Sequence, residues 1–87
     1  MMDELVGQKV VIDMRSTFVC FGTITRVDAH VVELRDADIH DLRDTETSRE
    51  NYVAESKATG IKRNRRKALI IRDDIVAIAR LDDVVDK

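Results

Sequence analysis

Residues 18–27 read FVCFGTITRV, and this stretch decides the fold. It is filled with β-branched and aromatic residues, the composition of a β-strand. Gly22 stands in its middle, where a glycine weakens a strand unless the chain has to bulge or bend there. We therefore predict one long strand that curls at Gly22 from one side of a small barrel to the other.

Four shorter runs of the same type lie on either side of this stretch. They are Lys9–Asp13, His30–Asp36, Ala68–Arg72 and Ile75–Leu81. The gaps between consecutive runs are turn-sized, apart from one long polar excursion, and the chain has no proline. Five short strands joined in this way predict an all-β fold with short helices, in a single domain over residues 1–87.

The polar excursion covers about residues 41–67 and follows a loss of strand character after Asp38. Within it, Thr47 and Glu50 have the spacing of a capping box, and Gly60 can supply a C-terminal cap. We predict a helix between them, as an insertion between the third and fourth strands. Its weak amphipathicity indicates that it lies on the barrel surface or on a neighbouring subunit.

The composition favours a small intracellular protein. The chain has 87 residues, of which 44% are apolar and 37% charged, so it fits one domain with a modest core. Oligomerisation would add buried surface. The acidic start lacks the features of a secretion signal, no apolar run could span a bilayer, and Cys20 has no partner for a disulfide. We expect a cytoplasmic protein without a cofactor and without enzymatic activity.

The net charge of −2 conceals a division along the chain. Residues 28–55 are strongly acidic, whereas the following segment KRNRRK, residues 62–67, carries five cations and no acid. This basic run consists of Lys62, Arg63, Arg65, Arg66 and Lys67 around Asn64. It could attract the phosphates of a polyanion. Alternatively, it is a solvated loop that balances the acidic stretch.

The order of these pieces resembles the Sm and Sm-like (LSm) family, as a divergent bacterial-type member. The first motif is similar to LVGQKV at residues 5–10, GTI at 22–24, VDAHV at 27–31 and LRDA at 34–37. The second is similar to IIRDDI at residues 70–75, followed by Ile78. Together the two motifs span nearly the whole chain outside the helical insertion.

The resemblance implies a strongly bent five-stranded sheet, or small open barrel, behind a short N-terminal helix at about Met2–Val6. It also implies that the fourth strand of one subunit pairs with the fifth of the next. Such pairing would close a homo-oligomeric ring of about five to eight copies. An apolar fifth strand without proline or inward charge agrees with this, because ring closure would protect an exposed edge.

The resemblance further implies an RNA pocket. Asp28, His30 and Arg72 stand at positions that belong to this pocket in the family. Two positions depart from the family's pattern. Val32 stands where an asparagine would read a base edge, and a valine side chain cannot hydrogen-bond. Asp73 stands where glycine is expected, and with Asp74 it could pair with Arg72 or repel phosphate. Base-specific recognition is therefore expected to be lost.

A metal site is a further alternative. Asp36, Asp38 and His40 would share one face if the third strand continued, and such side chains can ligate a divalent cation. The same alternation occurs at solvated strand ends. The solvated strand end is preferred, so no metal site is predicted, and no catalytic site is predicted because no nucleophile or phosphate-binding loop accompanies these residues.

The sequence thus favours a ring-forming ribonucleoprotein subunit that binds RNA with little base preference, mainly through the basic run. The alternative function is a protein–protein scaffold that presents the insertion helix, near Tyr52 and Val53, to a protein partner. A monomeric SH3-like barrel is the alternative fold.

Overall fold

The computed structural model describes residues 2–85, which form five β-strands, one α-helix and short 3₁₀ helices. The strands are β1 (Lys9–Met14), β2 (Phe18–Val27), β3 (Val31–Asp41), β4 (Arg65–Ile71) and β5 (Ile75–Arg80). The helix α1 (Arg49–Thr59) lies between β3 and β4. The 3₁₀ helices are Met2–Leu5, Leu42–Asp44, Arg72–Asp74 and Leu81–Asp83. The first of them stands where the N-terminal helix is predicted.

All five strands belong to one antiparallel sheet, in the order β4-β3-β2-β1-β5. Two free edges, β4 and β5, remain because the sheet does not close through hydrogen bonds between them. A 3₁₀ helix at Arg72–Asp74 joins these two edge strands directly. The fold is therefore an open barrel, as predicted.

The sheet bends at Gly22. Across from this residue, the register between β2 and β3 shifts between Phe21 and Thr23, and β3 carries the extra residue. Asp36 lies in this bulge with a φ of 51°, a left-handed conformation that is uncommon for a residue other than glycine. A Cβ at Gly22 would lie 3.1 Å from Leu34 Cβ. The bend predicted at Gly22 is confirmed.

The bent sheet packs a separate apolar core on each face. Inside the barrel, the core includes Val10, Ile12, Ile24, Val32, Leu34 and Ile70. On the other face, Val11, Val19 and Phe21 pack against Tyr52 and Val53 of α1 and against Leu81. The helix is thus a second layer of the domain.

Helix α1 corrects two predictions. Its N-cap is Ser48, whose hydroxyl accepts the Asn51 N–H at 3.1 Å, and not Thr47. Tyr52 and Val53 are only 8% and 5% exposed, so their side chains pack against the barrel of their own chain and are not the residues that α1 could present to a partner. Gly60 ends the helix with a φ of 102°, as predicted for a C-terminal cap. Among the described residues, no helix is long and apolar enough to cross a membrane.

Two strand boundaries differ from the predicted ones by more than one residue. β3 continues beyond Asp38 to Asp41, because its polar end pairs with the start of β2, where Phe18 lies opposite Asp41. β4 begins at Arg65 instead of Ala68. Its first three residues are exposed cations at the edge of the sheet, which is why their composition does not indicate a strand.

Candidate RNA-binding site

Asp28 organises the short connection between β2 and β3. Its Oδ1 accepts the backbone N–H groups of His30 and Val31, at 2.8 and 2.9 Å, and its Oδ2 accepts a bond from Arg26 Nη1 at 2.6 Å. These bonds favour the ionised carboxylate, the His30 N–H most strongly, and they lower the pKa of Asp28 to about 2. The connection is therefore held in one conformation. Arg26, two residues before Asp28, is a member of this cluster that sequence reasoning missed.

Arg72 ties this connection to the turn between β4 and β5. Its Nη1 donates to the Asp28 carbonyl oxygen at 2.5 Å, and its backbone N–H donates to the His30 carbonyl oxygen at 2.9 Å. Within residues 2–85 no carboxylate lies within 4 Å of its guanidinium, so the ion pair considered with Asp73 or Asp74 is not formed in this chain. The structure thus brings Asp28, His30 and Arg72 together.

The surface around these three residues is open. His30 is exposed, and an open cavity of about 650 Å³ is lined by Ala29, Arg72 and Asp73 together with apolar residues of β5. Val32, in contrast, is completely buried in the barrel core. Its side chain therefore has no access to a ligand at this surface.

The basic run is largely balanced by acids of the same chain. Three ion pairs join Lys62 to Glu55 at 3.0 Å, Arg63 to Asp36 at 2.9 Å and Lys67 to Glu33 at 3.5 Å. The local charge available to a polyanion is therefore smaller than the sequence suggests.

Arg65 and Arg66 are the two cations of the run that have no carboxylate within 4 Å in the part of the chain described. Both are exposed at the start of β4, and Nη1 of the Arg65 side chain donates to the carbonyl oxygen of Asn64 at 3.0 Å. The run is thus divided between acid-paired and unpaired cations, a division that depends on the tertiary structure.

The alternative metal site does not form in residues 2–85, which contain no cluster of three potential ligands. Asp36 sits in the bulge and pairs with Arg63, whereas Asp38 points into the interior with 1% exposure. The Asp38 carboxyl group accepts hydrogen bonds from Tyr52 Oη at 2.5 Å and from Asn64 Nδ2 at 3.0 Å. The bulge interrupts the alternation on which the hypothesis depended.

Two further side chains, those of His40 and Cys20, lie in the same region of the chain as this buried carboxyl group. His40 stacks on the Tyr52 ring with a centroid distance of 3.9 Å. The pKa of Tyr52 is raised, mainly by burial and to a smaller extent by its hydrogen bond to Asp38. Burial, with a smaller contribution from Asp38, raises the pKa of the Cys20 thiol to about 11. Cys20 is therefore a protonated core residue, as predicted from its apolar neighbours.

Comparison with known proteins gives matches only at the level of structure. No family model matches the sequence, and no curated protein matches it. Among solved structures, an Sm protein of Pyrococcus abyssi in complex with a uridine heptamer aligns with a TM-score of 0.62, at 18% identity over 91% of this chain and 90% of that one. An Sm-like protein of Archaeoglobus fulgidus aligns with the same TM-score, at 15% identity over 92% and 88% of the two chains.

The topology and these matches place the chain in the class of small, strongly bent, five-stranded antiparallel barrels. Within that class, the chain has the Sm fold. The fold that the two sequence motifs imply is therefore confirmed, and the alternative of an SH3-like barrel is not favoured.

Proposed function

We propose that this protein is a ring-forming Sm-like subunit that binds RNA. The convergence of Asp28, His30 and Arg72 on one open surface carries the proposal. An exposed imidazole can stack on a base, and a guanidinium without a carboxylate partner can bind phosphate or a base edge. One structural neighbour was solved with a uridine heptamer bound. The role is one of binding, because His30 and Arg72 lie on an open surface that does not exclude water.

Self-association is supported by the two free edges of the sheet. Leu69 and Ile71 of β4 are each 52% exposed, and Val76 of β5 is 67% exposed. Unpaired strand edges with apolar side chains are aggregation sites unless another chain covers them. Edge-to-edge pairing of identical subunits would cover both edges and repeat the His30–Arg72 surface around a ring.

Base preference should be weak. Val32 is buried and cannot read a base, so stacking on His30 and electrostatic attraction remain. Of the basic run, Arg65 and Arg66 are unpaired, whereas Lys62, Arg63 and Lys67 would have to exchange a carboxylate for a phosphate. The run is therefore proposed as a secondary contact, which strengthens binding at low salt.

The test is the affinity for fluorescent oligouridine and oligoadenosine at two salt concentrations. We expect wild-type binding to weaken steeply with salt and to differ little between the two RNAs. The variant Arg72→Ala should weaken binding by about ten- to a hundredfold, since a charged hydrogen bond contributes about 1.5–3 kcal/mol. His30→Ala should weaken binding by at least about fivefold, because stacking contributes about 1–3 kcal/mol per base.

Lys9→Ala is the control, because Lys9 is an exposed cation of β1 without an ion pair in the described structure. Its affinity should stay close to that of the wild type. The native mass of every variant is measured beside its affinity, so that loss of assembly is not mistaken for loss of contact. Wild-type protein without RNA affinity at low salt, or an Arg72→Ala/His30→Ala double variant that binds normally, would refute the proposed site.

A further inference from the structure

The three ion pairs of the basic run differ in what each acid would keep if its cation left. An exposed ion pair contributes little to stability, so an RNA phosphate can displace the carboxylate from such a pair. The exchange is easiest where the carboxylate keeps a second cation of its own chain, because no charge is then left without a partner. The surroundings of the three acids therefore predict which cations can leave.

Glu33 keeps two partners when Lys67 leaves. Its Oε2 accepts a hydrogen bond from Thr25 Oγ1 at 2.7 Å, and its Oε1 lies 3.6 Å from Arg26 Nη2. The ion pair with Lys67 is about as long, at 3.5 Å, and the Lys67 side chain is 64% exposed. The hydrogen bond from Thr25 is the main reason that the pKa of Glu33 is lowered. Glu33 therefore stays ionised and paired without Lys67.

Asp36, in the bulge of β3, also binds two cations. Its Oδ1 accepts a hydrogen bond from Arg63 Nη1 at 2.9 Å, and its Oδ2 accepts one from Arg35 Nη1 at 3.2 Å. The Arg63 side chain is 61% exposed and is free to turn toward solvent. Arg63 can therefore move to a phosphate and leave Arg35 on the carboxylate.

Lys62 differs from these two cations, because its acid has no second cation in residues 2–85. Its Nζ lies 3.0 Å from Glu55 Oε1, which no other Lys or Arg nitrogen of the described residues approaches within 4 Å. The same Nζ lies 5.4 Å from the centroid of the Tyr52 ring, a cation–π contact. Release of Lys62 would break both contacts and leave Glu55 without a cation.

We infer that the basic run contains two exchangeable cations, Arg63 and Lys67, which leave their carboxylates to bind RNA phosphates. Lys62 stays on its carboxylate. The exchangeable cations join Arg65 and Arg66, which have no carboxylate partner in residues 2–85, in one phosphate-binding surface. The two acids compete with RNA for these cations, so the chain limits its own affinity. This inference rests on the proposed RNA binding and assigns the residues of its secondary contact.

The first test measures how the affinity for fluorescent oligouridine depends on salt. Each cation that contacts a phosphate of a single strand adds about 0.7 to the slope of log Kd against log salt concentration. We expect Arg63→Ala and Lys67→Ala each to reduce this slope by about 0.7. Lys62→Ala removes the same charge from the same run and should leave the slope unchanged. A slope that all three substitutions leave unchanged, or reduce equally, would overturn the exchange.

The second test removes the competing acids. Asp36→Asn keeps a residue type that tolerates a positive φ, and it should raise the affinity at low salt by up to about fivefold, which corresponds to about 1 kcal/mol. Glu33→Gln, which can still accept the bond from Thr25, should act in the same direction. The gain from Asp36→Asn should disappear in an Arg63→Ala background, because the cation that it frees is then absent.

Glu46→Gln is the matched control, since Glu46 is an exposed acid without an ion pair in the described structure. It makes the same change of net charge and should leave the affinity close to that of the wild type. An equal gain from Glu46→Gln and Asp36→Asn would show a general effect of charge and would overturn the competition. Native mass and circular dichroism are recorded for every variant, so that only folded and equally assembled proteins are compared.

The outcomes separate this inference from the proposed function. A wild type without affinity for oligouridine would overturn both. Weakened binding by Arg72→Ala, with unchanged salt slopes for Arg63→Ala and Lys67→Ala, would leave the proposed site standing and overturn the exchange. Normal binding by the Arg72→Ala/His30→Ala double variant, with reduced slopes for the other two, would overturn the proposed site and leave the exchange standing.

Discussion

At the scale of single residues, Asp38 is the unusual member of the core. It is buried, no cation contacts it among the described residues, and its two bonds come from Tyr52 and Asn64. A carboxyl group in such surroundings depends on each of its partners. These two hydrogen bonds therefore hold α1, through Tyr52, and the segment before β4, through Asn64, in specific positions against β3.

Replacing Tyr52 by phenylalanine tests this dependence. We expect Tyr52→Phe to lower the free energy of unfolding by about 1–3 kcal/mol, because it leaves a buried polar group short of one partner. This free energy is measured by urea denaturation, with circular dichroism as the signal of unfolding. In an Asp38→Leu background the same change should cost much less, since no carboxyl group remains to be satisfied. Equal costs in both backgrounds would show that the hydrogen bond contributes nothing.

The grouping of Asp28, His30 and Arg72 was implied by the resemblance of two short motifs to the Sm-like family, and the turns that carry these motifs meet when the strands pair. Sequence reasoning could not assign partners within the basic run. Whether Lys67 meets Glu33, or Arg66 meets no acid, depends on strand register and on the bulge at Asp36. The Tyr52–Asp38 bond joins residues 14 positions apart on two elements and has no local signature.

At the scale of elements, the start of α1 provides a direct comparison of two neighbouring hydroxyls. Ser48 caps the helix, whereas the Thr47 side chain makes no hydrogen bond among those of the described residues. We expect Ser48→Ala to lower the free energy of unfolding by about 1 kcal/mol and Thr47→Ala to change it by less than about 0.5 kcal/mol. Thermal unfolding of both variants checks this, and the opposite order would restore Thr47 as the cap.

Strand existence was easier to predict than strand length. β2 is rich in β-branched and aromatic residues, and its predicted bounds, Phe18–Val27, are confirmed. The ends of β3 and β4 are polar because they lie at an exposed edge or under the helix, so their strand state follows from pairing and not from composition. Both errors therefore lie next to the insertion, where tertiary contacts override local propensity.

At the scale of the whole molecule, the exposed edge of β5 should control assembly. A lysine on a strand edge opposes pairing with another chain, because its charge would have to be buried. We expect Val76→Lys to reduce the native mass toward that of a 9.9 kDa monomer, with an unchanged circular dichroism spectrum.

Val6→Lys is the matched control, since Val6 is also exposed, at 44%, but lies outside both edge strands. Its native mass should equal that of the wild type. If Val76→Lys assembled as the wild type does, the β5 edge would not be a subunit contact.

The second apolar layer on the outer face has a practical consequence for anyone grafting a peptide tag or epitope into this protein. The long connection between β3 and β4 looks replaceable in the sequence, yet removing α1 would uncover Val19 and Phe21. Permissive points for an insert are instead the exposed Glu46, ahead of the helix, and Gly60, where an added Cβ meets open space, provided the positive φ there is kept. We therefore expect the connection to accept insertions at these two points, and we expect deletions between them to destabilise the fold.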